Sequence, residues 1–152
     1  MNITFGSSSS NFNKVVTGSV FVSEQPVFKS YSGMTNLITG TSHTMTAAEA
    51  LDGVYRRTTL DALTDTFPSA SSIVSELNSI QGTVAVGDSF ELHVVRSAGP
   101  NNTNLTFSNG TGITFYGRNQ FKGLRSSTIQ FVVTNIGSGT ETVDIYALHA
   151  NH

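Results

Sequence analysis

The pattern of apolar and polar positions along the chain changes near residue 82. Beyond this point apolar side chains recur at every second position, as in Phe90, Leu92 and Val94, and later runs repeat the alternation. Because successive side chains of a strand point to opposite faces, this period of two predicts half-buried β-strands. Turn sequences such as SNG at residues 108–110 separate the runs. The pattern predicts a mainly β fold, with an antiparallel β-sandwich of the jelly-roll type in residues 82–152. A parallel sheet would require helices between these strands, and the sequence shows no helical pattern there.

Two short helices are predicted before the sandwich, within residues 34–81. In the first, Thr46 and Glu49 have the spacing of a capping box, in which each side chain accepts a hydrogen bond from the other residue's backbone N–H. The second is predicted to start near Pro68, which suits a first helical turn, and to carry an apolar stripe that runs as far as Ile80. This segment is therefore predicted to be a linker with two helices, and the stripe is expected to lie on the sheet or on a neighbouring subunit.

Residues 1–33 are predicted to form an extended N-terminal arm. Large aromatic side chains recur along it: Phe5, Phe12, Phe21, Phe28 and Tyr31. Each would gain about 1.5–3 kcal/mol on burial, so the arm is expected to lie against its own domain or a neighbouring subunit, with these aromatics as the candidate partner interface. A second interpretation stays open, in which the β-like residues 15–22 are the first strand of the sandwich. In either case residues 34–152 are predicted to form one compact domain.

The composition and charge of the chain argue against some classes of binding partner. Only 12% of the 152 residues are charged, the net charge is -2, and no dense basic run occurs, which argues against nucleic acid. The chain has no cysteine, and no apolar run approaches the ~20 residues that span a membrane. Its N-terminus lacks the pattern of a signal peptide, so we expect a soluble chain that is made in the cytoplasm. Low charge with many Ser, Thr, Asn and Gly residues predicts a neutral, hydroxyl-rich surface.

No catalytic or metal-binding signature is found in the sequence. Its four histidines and ten carboxylates match no nucleophile, phosphate-binding or calcium pattern. His93 alternates with core positions and is expected to face away from the core. Asp61 and Asp65 are interpreted as residues that form a turn and keep it soluble. We therefore expect a protein without enzymatic activity and without a cofactor or metal.

One loop carries a candidate recognition site. Tyr116, Arg118 and Phe121 lie within six residues of one another and could form a platform for a glycan or for nucleic-acid bases. The alternative interpretation places Phe115 in the core and Tyr116 at the surface, with Phe121 anchoring the loop.

The order of these elements resembles a module found in structural proteins of tailed phages and large DNA viruses. The resemblance covers residues 43–148 and is carried by five stretches: TMTAAEALDG at 44–53, TDTFPSASSIV at 64–74, VGDSFELHVV at 86–95, GITFYG at 112–117 and FVVTN at 131–135.

This resemblance implies a capsid decoration or cement protein. Such proteins lie on the virion surface, are often homotrimers, bind the major capsid protein and hold neighbouring capsomers together. The resemblance implies no catalytic residues. The alternative is a receptor- or glycan-binding head domain of a tail fibre or spike.

Overall fold

A computed structural model describes residues 37–58, 61–98, 104–122 and 126–148. The elements in these ranges are, in chain order, β1 (Leu37–Thr39), α1 (Ala47–Leu51), β2 (Val54–Thr58), β3 (Leu63–Thr66), α2 (Ala70–Gln81), β4 (Ser89–Ala98), β5 (Asn104–Ser108), β6 (Ile113–Tyr116), β7 (Gln120–Lys122), β8 (Ser126–Asn135) and β9 (Thr142–Ala147). The prediction of a mainly β fold is confirmed. All five aromatics of the predicted arm lie outside the described residues.

The strands form two sheets in which parallel and antiparallel pairs are mixed. Six strands form one sheet in the order β1-β2-β4-β8-β9-β6, and three form a second sheet in the order β3-β5-β7. Strand β8 pairs antiparallel with β4 and β9, and β5 pairs antiparallel with β7. The pairs β1-β2, β2-β4, β3-β5 and β6-β9 are parallel. The prediction of a wholly antiparallel arrangement is therefore wrong.

Long connections explain the parallel pairs. Two parallel strands need a crossover of about a dozen residues or more, commonly one that contains a helix. Residues 59–88, which include α2, connect β2 to β4, and α1 lies between β1 and β2. No helical pattern lies between the strands after residue 82, which led to the antiparallel prediction. The three strands that accompany the two helices in residues 34–81 were not predicted, and two of them form the parallel pairs with β4 and β5.

Both predicted helices are present, with small shifts at their ends. The Thr46 hydroxyl accepts a hydrogen bond from the Glu49 N–H at 3.2 Å, and the Glu49 carboxylate accepts one from the Thr46 N–H at 2.7 Å, so the capping box is confirmed. The N-cap of α2 is Ser69, which accepts from the Ser72 N–H. Its apolar stripe is buried except for Ile80, which is 41% exposed beside the end of the helix.

Phe67 joins the two sheets at the centre of the core. Its ring stacks on Phe107 of the three-stranded sheet at a centroid distance of 4.7 Å. It also meets the edge of the Phe131 ring at 5.7 Å and stacks on Phe115 at 5.8 Å, both in the six-stranded sheet. These offset and edge-to-face contacts are the favoured geometries for aromatic pairs. The two sheets therefore pack across one continuous hydrophobic core.

The opposite face of the six-stranded sheet, which we call the outer face, is not covered by any other described part of the chain. Glu91 and His93 alternate with buried core residues and are exposed on it, as predicted for His93. The His93 Nδ1 atom lies 2.9 Å from the hydroxyl of Thr128 on the neighbouring strand.

Replacing Gly110 with alanine should destabilise the fold. An added Cβ would lie closer than 3.0 Å to the backbone oxygens of Phe67 and Pro68. The loop cannot move away easily, because the Phe67 N–H donates to Ser108 O at 3.0 Å and the Ala70 N–H donates to Thr111 O at 2.8 Å.

We expect Gly110→Ala to lower the free energy of unfolding by about 1–3 kcal/mol, the usual effect of overpacking. Urea denaturation measures this change. The neighbouring exposed Asn109→Ala is the control and should change stability by less than about 0.5 kcal/mol. Equal effects of the two substitutions would contradict the steric explanation.

Candidate functional site

A buried ion pair connects the two sheets at the beginning of the domain. Arg57 of β2 and Asp65 of β3 are both fully buried. The Arg57 Nη2 atom lies 2.8 Å from Asp65 Oδ1, and its Nε atom lies 2.9 Å from Oδ2. The contact is therefore bidentate, the geometry in which an arginine and a carboxylate interact most strongly.

Two further donors and one further acceptor surround this pair. Because Tyr55 and Arg57 alternate with Arg56 along β2, both point into the core. The Tyr55 hydroxyl donates to Asp65 Oδ2 at 2.8 Å, and the His43 N–H donates to Oδ1 at 2.9 Å. Arg57 Nη2 also donates to the carbonyl of Thr41. The segment between β1 and α1 is thus fixed to both β2 and β3.

The network reaches the surface through a histidine and a glutamate. His43 Nε2 lies 3.0 Å from Glu49 Oε2, and its half-buried ring stacks beside the Tyr55 ring at a centroid distance of 6.5 Å. Glu49 is also the N3 residue of the capping box that begins α1, where its carboxylate accepts from the Thr46 N–H. We call His43, Glu49, Tyr55, Arg57 and Asp65 the ion-pair network.

The surroundings shift the pKa of two of its members. Burial, followed by the hydrogen bond to Asp65, raises the pKa of Tyr55 far above its ordinary value, so the phenol stays a donor. Burial alone would raise the pKa of Glu49, but the Thr46 backbone N–H and the His43 side chain outweigh it and lower that pKa. Both shifts keep the network in the protonation state that its hydrogen bonds require.

The hydrogen bonds of Asp65 assign it a structural role. A carboxylate has about four acceptor sites, and Asp65 receives two bonds from Arg57 and one each from Tyr55 and His43. Its acceptor capacity is thus filled by the protein itself, which disfavours a role as a base or a metal ligand. The interpretation of Asp65 as a soluble turn residue is wrong, because it lies in a strand and points into the core.

The structure separates the three predicted loop residues. Tyr116 is 48% exposed at the end of β6, and Arg118 is exposed just beyond it. Phe121 lies on β7 of the other sheet, where it is buried and meets Phe107 edge-to-face at 5.4 Å. Phe121 is therefore not part of a surface shared with Tyr116 and Arg118, and its position agrees with the alternative interpretation that it anchors the loop.

Tyr116 instead pairs with Tyr146, a residue that no sequence pattern singled out. It is in register with Tyr146 of β9, and the two rings stack at a centroid distance of 5.1 Å and an angle of 12°. The Tyr146 hydroxyl lies 3.4 Å from a carboxylate oxygen of Asp144. Leu148, which follows β9, is 49% exposed. We call Tyr116, Tyr146 and Leu148 the tyrosine patch.

A second set of exposed apolar side chains lies at the other end of the six-stranded sheet. Val86 precedes β4 and is 62% exposed, and Ile136 follows β8 and is 42% exposed. Ile80 lies at the end of α2, and the next residue, Gln81, donates from Nε2 to Asp88 at 2.9 Å, which fixes this end of the helix to the turn before β4. We call Ile80, Val86 and Ile136 the turn patch. Exposed apolar groups of this kind often mark interaction surfaces.

The chain matches no protein family, no curated protein and no solved structure. The resemblance to capsid decoration proteins therefore stays a prediction. Among the described residues, no helix is long and apolar enough to cross a membrane. In the same ranges no three histidine or acidic side chains come together as a possible metal site.

Removing one partner of the buried ion pair should be severely destabilising. Asp65→Asn removes the carboxylate that binds the buried Arg57 guanidinium, and breaking a buried ion pair in this way costs about 3–5 kcal/mol. Urea denaturation should show this loss, whereas Glu91→Gln on the open outer face should change little.

The double variant Arg57→Met with Asp65→Leu removes both charges and should be more stable than Asp65→Asn. If instead Asp65→Asn costs no more than Glu91→Gln, the ion pair does not hold the sheets together.

Glu49 should contribute to the acid sensitivity of the fold. Because its pKa is lowered in the folded state from an ordinary value of 4.5, its contribution is fully present above that pH and is lost as the pH falls through the folded-state pKa. Glu49→Gln keeps a hydrogen-bond acceptor but cannot titrate. We expect its urea midpoint to fall less than that of the wild type as the pH drops below 4.5. Identical pH profiles would contradict this role.

Proposed function

We propose that this chain is a non-enzymatic virion structural protein, a capsid decoration or cement protein that binds neighbouring major capsid subunits at the capsid surface. One observation carries the proposal: exposed apolar patches lie at both ends of the six-stranded sheet. A protein that bridges two partners needs two separate contact surfaces, whereas one that binds a single ligand needs only one.

The spacing of the patches suits a bridge. The turn patch lies where β8 ends and β9 begins, and the tyrosine patch lies where β9 ends. From Thr142, where β9 begins, to Tyr146 of the tyrosine patch, the strand rises about 13 Å at ~3.3 Å per residue. Two partners could therefore bind at the two ends without competing for the same residues.

The remaining surface suits a protein that is exposed outside a cell. Only 12% of the residues are charged, and the outer face carries exposed or half-exposed hydroxyl groups such as Thr114, Thr134 and Thr142. A neutral hydroxyl-rich surface does not attract polyanions such as nucleic acid. In the described ranges, the large apolar side chains that are exposed lie in the two patches, where a specific partner would bury them.

Assembly and fold family are further parts of the proposal. We propose a homotrimer, so that several weak contacts act together on the shell. Light scattering should then give three times the chain mass of 16.2 kDa. We also propose a relation to jelly-roll sandwiches, because the two sheets face one core. The parallel strand pairs depart from that architecture.

The tyrosine patch favours one alternative, a glycan-binding head of a fibre or spike. Sugar rings present apolar C–H faces and many hydroxyl groups, and the patch offers stacked rings beside the Asp144 carboxylate. This alternative uses only one end of the sheet. Bridging therefore requires the turn patch, whereas glycan binding does not.

Paired substitutions test the bridging function. We expect Val86→Ser with Ile136→Ser, and separately Tyr116→Ser with Tyr146→Ser, each to weaken binding to capsid shells of the encoding virus at least tenfold, since ~1.4 kcal/mol corresponds to a factor of ten. All four side chains are exposed, so both variants should stay folded. Co-sedimentation measures the affinity, with Glu91→Gln as the control on the outer face.

Other outcomes separate the alternatives. Absence of the chain from purified virions would overturn the proposal. Binding to a glycan array that is lost with Tyr116→Ala but unaffected by the turn-patch substitutions would favour the glycan-binding head.

A further inference from the structure

The edge of the six-stranded sheet at β6 is open in the described part of the chain. Strand β6 pairs with β9, and no other described strand lies beside it. The Gly112 carbonyl accepts from the Val143 N–H at 3.0 Å, so the even-numbered residues of β6 direct their backbone groups to β9, as alternate residues of a parallel strand do. The N–H and carbonyl groups of Phe115 therefore point to the open edge.

This edge has none of the features that protect the edges of the three-stranded sheet. Natural edge strands usually carry lysine, proline or a bulge, or are covered by another segment. Strand β7 carries Lys122, and β3 is covered by the segment at Thr44, which bridges to Thr66. Strand β6 (ITFY) has no charged residue and no proline. It can therefore accept a further strand.

Aromatic side chains are incompletely covered on both faces of β6. On the inner face Phe115 stacks on Phe67 at a centroid distance of 5.8 Å but is only partly buried. On the outer face Tyr116 stacks on Tyr146 and is still 48% exposed. A strand added beside β6 would cover apolar surface of both Phe115 and Tyr116.

We propose that β6 pairs with β6 of a second copy of this chain, antiparallel and with Phe115 opposite Phe115. The two copies are related by a two-fold axis between these residues, so their six-stranded sheets form one continuous sheet. Such a contact uses the same surface on both subunits. The inference goes beyond the proposed function. It describes a contact separate from the three-fold contact of the proposed trimer, so one chain can take part in both.

The backbone hydrogen bonds select this register. With Phe115 opposite Phe115, each N–H donates to the carbonyl of the other copy, so all four groups that point to the edge are paired. The neighbouring register places Thr114 opposite Thr114 and Phe115 opposite Ile113. The Ile113 N–H already donates to Gly110 O at 3.1 Å, so both Phe115 carbonyls would then lack a donor. The register centred on Phe115 is therefore favoured.

The side chains of the two copies are complementary in this register. Residues directly opposite each other on paired strands are in contact, so the large Tyr116 meets the small Thr114 on the outer face. On the inner face the two Phe115 rings meet and cover their exposed parts. No two charged residues of β6 are brought together, since the strand has none. The tyrosine patches of the two copies come to lie side by side on the outer face, where they stay accessible.

Engineered cysteines test the pairing and its register in the full-length chain. The chain has no cysteine, and both Thr114 and Tyr116 are exposed, so single substitutions there should leave the fold intact. Thr114 of one copy and Tyr116 of the other form a non-hydrogen-bonded pair with Cα atoms about 4.5 Å apart. That distance lies within the range of about 4.4–6.8 Å for disulfides. Mild oxidation of Thr114→Cys chains mixed with Tyr116→Cys chains should therefore give mixed disulfide pairs.

Non-reducing electrophoresis and peptide mass mapping measure these pairs. Thr134→Cys is the control for random collision, because Thr134 is exposed on the same face but lies on β8, away from the edge. We expect the mixture to oxidise at least about tenfold faster than Thr134→Cys, the effect of ~1.4 kcal/mol of association. A mixture no faster than Thr134→Cys would overturn the proposal. So would Thr114→Cys chains that join each other as fast as they join Tyr116→Cys chains.

Amide hydrogen exchange tests the contact without any substitution. The Phe115 N–H should be protected at high protein concentration and should exchange faster on dilution. The Thr114 N–H, which is directed to β9, should be protected at both concentrations. Exchange at Phe115 that does not change with concentration would overturn the proposal. None of these outcomes depends on capsid binding, so the proposed function is tested separately.

Discussion

The contact between Arg57 and Asp65 is the constraint on which the first half of the fold depends. It joins β2 of the six-stranded sheet to β3 of the three-stranded sheet, and both side chains are fully buried. A buried ion pair is not in itself a strong source of stability, because desolvation offsets much of the attraction. It does, however, penalise every arrangement that leaves either charge unpaired. The pair therefore selects one relative placement of the two strands, and Phe67, one residue beyond β3, then occupies the centre of the core.

This constraint also influences where binding can occur. In the ion-pair network, four donors saturate the Asp65 carboxylate and the phenol of Tyr55 is held as a donor, so these buried polar groups serve the fold. The groups left for a partner lie on the outer face and at the two patches, which are neutral or apolar. Such surfaces suit association through buried area better than they suit proton transfer. This distribution supports a binding role without depending on the resemblance.

The sequence was most informative where a single local pattern decided the structure. Alternation predicted the strands after residue 82, and the spacing of Thr46 and Glu49 predicted the start of α1. Parallel pairing was missed because it depends on which strands meet, and no local pattern records that.

Asp65 was missed for a related reason. In a Thr/Asp-rich stretch its residue type indicates a turn, and only a partner on another strand makes burial tolerable. Reading VYRRT at Val54–Thr58 as a strand would have placed Tyr55 and Arg57 on one face. A buried arginine in a chain with so few charges would then have required a nearby carboxylate. Tyr146 was missed because stacking on Tyr116 depends on the parallel register of β6 and β9.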